Sequence, residues 1–83
     1  MTTFEDKPLA VDDPAVYHIQ LQGALDHSWQ EMLGDLQIEV RREASGAMVT
    51  ILTGPVADQA ALAGILNLVY DLGMPLLSVT RVG

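Results

Sequence analysis

The chain has 83 residues, 49% of them hydrophobic, and eleven acids against four bases give a formal net charge of −7. That length holds one domain. With no cysteine, disulfides and thiolate metal sites are excluded. Lys7, Arg41, Arg42 and Arg81 form no basic patch for nucleic acid or an anionic membrane.

A chain this small buries only roughly 60% of its unfolded surface, so association is the expected extra source of stability. Its apolar runs fall far short of the roughly 18 residues of a membrane span. Met1–Asp6 carries acids where a signal peptide needs a basic segment and an apolar run. These features predict a cytoplasmic protein.

Residues 1–14 contain Glu5, Asp6, Asp12 and Asp13 between Pro8 and Pro14, which predicts a flexible acidic tail ahead of a single domain over 15–83. Val16 to Leu25 alternates, with Tyr17, Ile19 and Leu21 on one side and His18, Gln20 and Gln22 on the other. That is a strand with one wet or interfacial face, and Gly23 marks a bulge or a close approach. Asp26 to Leu33 is expected to be a short helix, capped by Asp26 or Ser28 and stopped by Gly34. Trp29, Met32 and Leu33 share a face. Trp29 either anchors this helix to the core or stacks on a ligand.

Leu36 to Arg42 alternates again, and the turn Ala44-Ser45-Gly46 leads to a third strand, Met48 to Thr53, making a hairpin. Gly54-Pro55 is expected to close that strand. A second helix then runs from Val56 or Asp58 to Leu72, with Leu62, Ile65, Leu66, Val69 and Leu72 as its apolar stripe. Gly73 and Pro75 end it. Gly64 costs this helix up to about 1 kcal/mol relative to alanine, which predicts a close approach at that point. Ala60, Ala61, Ala63 and Leu68 lie off the main stripe and could form a second contact surface. Leu76 to Val82 is nearly unbroken in its apolarity, which predicts a last strand covered on both faces.

The order strand, helix, strand, strand, helix, strand predicts an α+β fold of the ferredoxin-like β-α-β-β-α-β type. Its four-stranded antiparallel sheet would carry both helices on one face.

Leu52-Thr53-Gly54-Pro55, Asp58-Gln59-Ala60-Ala61-Leu62, Gly64, Asp71-Leu72-Gly73 and Pro75-Leu76-Leu77-Ser78-Val79 form a distinctive run, preceded by Gly23, Leu25 and Trp29. It resembles a set of short bacterial proteins of uncharacterised function that share the pattern LTGPxxDQAALxGxLxxxxDLGxPLLSV. Ala63 stands where many of them carry histidine, and Met74 where leucine is common. The resemblance supports the domain limits and the second helix and implies no activity.

No residue set points to catalysis. Asp26-His27-Ser28 contains the residue types of a triad, but neighbours at a helix start point in different directions. His18 and His27 with Asp26 or Glu39 lack the spacing of a zinc site. Thr53-Gly54-Pro55 lacks the glycines and lysine of a phosphate loop. No cofactor is expected.

Two functions remain open. One is a non-enzymatic interaction or regulatory module, a homodimer that docks on a protein partner, with Arg41 and Arg42 of the hairpin as candidate interface residues and Arg81 as a candidate for interface or ligand. Met48, Thr50 and Leu52 alternate with Val49, Ile51 and Thr53; one helix layer can cover only one set, and a dimer would cover the other on the open sheet face. The other is a small-molecule sensor or minor enzyme with a pocket near Tyr17, His18 and Trp29.

Overall fold

The computed structural model describes residue 10 and residues 13–83. Most of the expected acidic tail, 1–14, therefore lies outside the described residues. The Asp13 carboxylate accepts from the Ala10 N–H at 3.0 Å.

Four strands form one sheet: β1 (Ala15–Gln22), β2 (Gln37–Arg42), β3 (Met48–Val56) and β4 (Leu76–Arg81). Their order is β2-β3-β1-β4, and every neighbouring pair is antiparallel. A 3-10 turn (His27–Trp29) runs into the one-turn helix α1 (Gln30–Leu33), and α2 (Gln59–Asp71) links β3 to β4. The described residues thus form an α+β fold with two helices.

Alternation along β1 sorts its side chains as expected. Ala15, Tyr17, Ile19 and Leu21 are buried and share one core cluster with Leu33 of α1, Leu62 and Val69 of α2, and Leu52 and Val56 of β3. Removing these chains from water is the main favourable term in folding. Ile65, Leu66 and Leu72 pack partly buried against the cluster, completing the stripe expected on α2. Asp58 caps α2, accepting from the Ala61 N–H at 2.7 Å.

Several boundaries differ from the sequence reading. β1 ends at Gln22 rather than Leu25, because the backbone from Gly23 to Leu25 turns to meet Thr50. The first helix is a 3-10 turn followed by a single α-helical turn, and its Met32 is 67% exposed rather than buried beside Leu33.

Gly54-Pro55 does not end β3, which continues to Val56. Val16, opposite Pro55, turns its backbone towards β4, donating to Gly83 O at 3.1 Å and accepting from the Val82 N–H at 2.8 Å. No ladder bond from that side needs a proline N–H. On the other side β2 begins at Gln37, opposite Thr53, so nothing there needs one either. Gly54 serves a close approach. A Cβ on it would lie 2.8 Å from Asp35 O and 3.1 Å from Leu36 Cα.

The largest correction concerns β4. Its apolar run is not covered on both faces. It is an edge strand, with Leu76, Leu77, Val79 and Val82 between 37% and 50% exposed. The helix before it approaches β3, and β4 stays half-exposed. A bulge between Gln20 and Leu21 in the β1–β4 register places Leu76 opposite Leu21 and skips Leu77.

Candidate functional site

The six residues singled out from the sequence do not converge. Tyr17 and His18 are neighbours in a strand, so they occupy opposite faces. Tyr17 is buried, and its hydroxyl accepts from Gln59 Nε2 at 2.8 Å, tying β1 to the start of α2. His18 lies on the open face, with Nε2 3.3 Å from Gln20 Nε2. Trp29 packs half-buried against the core.

Arg41 and Arg42 lie on β2, at one edge of the sheet, and Arg81 on β4, at the other. Arg41 pairs with Glu39 at 2.8 Å. The hydrogen bond and charge of Glu39 raise the Arg41 pKa above its ordinary value. Arg42 donates weakly to Gly46 O at 3.4 Å, and Arg81 Nε to Gly83 O at 3.5 Å.

Asp26-His27-Ser28 is a helix cap. The Asp26 carboxylate accepts from the Ser28 N–H at 2.9 Å, and His27 is exposed. Among the described residues no group of three or more His, Asp and Glu side chains could hold a metal ion. Thr53-Gly54-Pro55 is strand, separated from α2 by Ala57 and Asp58, so it makes no anion cradle at a helix start.

The open sheet face differs from an apolar dimer surface. Val49 and Ile51 lie on it, yet they are only 9% and 5% exposed. Polar chains flank them: Gln22 and Arg41 beside Val49, and Gln20 and Glu39 beside Ile51. These two apolar residues need no partner to keep them from water.

Two other surfaces stand out. The first is the edge of β4. No residue from Leu72 to Thr80 is charged. The β1–β4 register, taken with the Val16–Val82 bond, turns Ser78 and Thr80 towards β1 and aims the Val79 N–H and C=O outward. The opposite edge, β2, is guarded by Glu39, Arg41 and Arg42, the usual protection against edge pairing.

The second is a cleft of about 530 Å³ between α1, the end of β3 and α2. Its apolar walls include Leu33, Leu36, Val56, Ile65 and Leu68, and Met32 and Asp71 also line it. Gly64 lines it too, and a Cβ there would meet nothing within 4 Å. The close approach expected at Gly64 is therefore absent within the fold. Ala61 and Leu68, read from the sequence as part of a second contact surface, both border the cleft. The β4 edge escaped the sequence reading because an unbroken apolar run looks the same in a buried strand and in an unpaired edge.

No described helix is long and apolar enough to cross a membrane. No curated protein and no solved structure matches the chain. The match to one family model spans residues 16–80, from the first strand to the last, and the chain belongs to that family, described as a domain of unknown function (DUF8691).

Proposed function

We propose that this domain is a non-enzymatic interaction module of the cytoplasm, with the ferredoxin-like arrangement, that self-associates and docks on a protein partner. The strand order supports the fold assignment. β1 and β2 run parallel with β3 between them, and β3 and β4 run parallel with β1 between them. Each helix thus bridges a split β-α-β unit.

The observation that carries the functional reading is the β4 edge, uncharged from Leu76 to Thr80, largely apolar and open to pairing, while the other edge carries Glu39, Arg41 and Arg42. A second copy fits it. Chains at net charge −7 repel one another unless they meet where charge is absent, and Leu72–Thr80 is such a stretch. An antiparallel pair with its two-fold axis at Val79 sets that residue against its own mate and Ser78 against Thr80. It places Leu77 opposite Arg81, which keeps the two guanidinium groups apart. The two sheets become one of eight strands.

Sedimentation equilibrium tests this. Wild type is expected at about twice the 8.9 kDa chain mass and Val79→Lys at the chain mass, because charge on an edge strand blocks pairing. A wild type that stays monomeric at millimolar concentration overturns it.

A further inference from the structure

We infer that the cleft between α1 and α2 docks a cationic amphipathic helix of a partner protein. This rests on the interaction-module reading and names the partner chemistry for a surface separate from β4. The cleft has a volume of about 530 Å³ and is bounded by α1, α2 and the end of β3. Its floor is apolar, and on the α2 wall Ala61 and Gly64 leave the backbone open to close approach. Nothing inside the fold uses the missing Gly64 side chain. Met32, 67% exposed at the margin, is an unbranched side chain that can re-pack on an incoming apolar residue.

Charge selects the occupant. The segments that form the two helical walls, 26–36 and 57–74, carry Asp26, Glu31, Asp35, Asp58 and Asp71 and no lysine or arginine. Asp71 lines the cleft itself, while Glu31 and Asp35 are exposed beside its α1 wall. The arginines of the domain are on β2 and β4. An acid-flanked apolar groove complements a helix with anchors at i, i+3 or i+4, and i+7 and with lysines or arginines on its flanks. A small apolar molecule would use the floor and leave the flanking acids unengaged.

The test is a titration followed through backbone amide resonances. It uses a synthetic 14-residue amphipathic helix of leucine and lysine, its leucine–glutamate counterpart, and hexanol as a small apolar probe. The cationic peptide is expected to shift Met32, Leu36, Ile65 and Leu68 saturably, and the glutamate peptide to shift none of them. Gly64→Leu fills the cleft and favours helix, so it folds, and it should weaken peptide binding at least tenfold. Asp71→Asn should weaken it severalfold and reduce its salt dependence.

Unchanged affinity in Gly64→Leu, shifts lying elsewhere, or equal response to both peptides overturns the proposal. Saturation by hexanol with no response to the cationic peptide overturns it in favour of a small ligand. Running the titration in Val79→Lys, and sedimenting wild type beside that variant without peptide, reads β4 pairing separately, so either idea can fail alone.

Discussion

Thr50 is the one polar side chain buried at 0% exposure in the described core, and its hydroxyl holds the connection after β1. It donates to Gly23 O at 2.7 Å and accepts from the Leu25 N–H at 2.9 Å. Thr50→Val keeps the shape and deletes both bonds. The Leu25 amide, fully buried, then loses its partner at a cost of about 2 kcal/mol, and the half-exposed Gly23 carbonyl adds about 1 kcal/mol. The sum of about 3 kcal/mol is a large part of the roughly 4–12 kcal/mol expected for a domain of this length. At about 4–8 °C per kcal/mol it lowers Tm by roughly 12–24 °C. Thr50→Ser keeps both bonds and loses one methyl, about 1 kcal/mol or roughly 4–8 °C. The assay is thermal unfolding by circular dichroism at one fixed protein concentration. A Val variant that melts at or above the Ser variant refutes the reasoning, because packing rather than hydrogen bonding would then rule at this position.

Three further substitutions test the packing. Gly54→Ala places a Cβ 2.8 Å from the Asp35 carbonyl oxygen, and the resulting backbone shift should cost about 1–3 kcal/mol in urea unfolding. Gln59→Ala removes the bond to the Tyr17 hydroxyl and should cost about 1 kcal/mol, with a measurable coupling to Tyr17→Phe in a double-mutant cycle. Arg41→Ala breaks an ion pair whose partners are 56% and 58% exposed, and no change in Tm is expected by calorimetry.

Much of this fold is legible because its alternation and helical periodicity are unambiguous. Tyr17, Ile19 and Leu21 read as one face and form the core of β1. The stripe from Leu62 to Leu72 reads as α2 and packs where it should. What is illegible depends on neighbours that no local pattern carries. Pro55 looks like a terminator, yet it is tolerated because β2 begins at Gln37 and Val16 bonds the other way. Met32 completes an apolar triplet in the sequence but points out, since one turn of 3-10 followed by one turn of α-helix is too short to hold a face. Leu76, Leu77 and Val79 have the composition of a buried strand, and only the sheet order reveals an edge. Ala61 and Leu68 of the cleft are visible as a second surface, but its opposite wall comes from Leu33 and Leu36, which no periodicity links to them.

The β4 pairing also makes a thermodynamic prediction that its geometry alone does not. If folding and association are coupled, the folded state gains by mass action as the chain is concentrated. Each tenfold increase adds about 1.4 kcal/mol per dimer, or about 0.7 kcal/mol per chain. For a domain of this size that raises Tm by roughly 3–6 °C per decade of concentration. Val79→Lys, unable to pair, should show a Tm that does not move with concentration, and it should lie below that of the wild type at every concentration above the dissociation constant. Differential scanning calorimetry from 20 μM to 2 mM spans two such decades, so the expected rise is roughly 6–12 °C against none. A wild type as flat as the variant, with both cooperative, would mean that the small core suffices without association. The exposed apolar edge would then need another occupant, and the self-association half of the proposed function would fall.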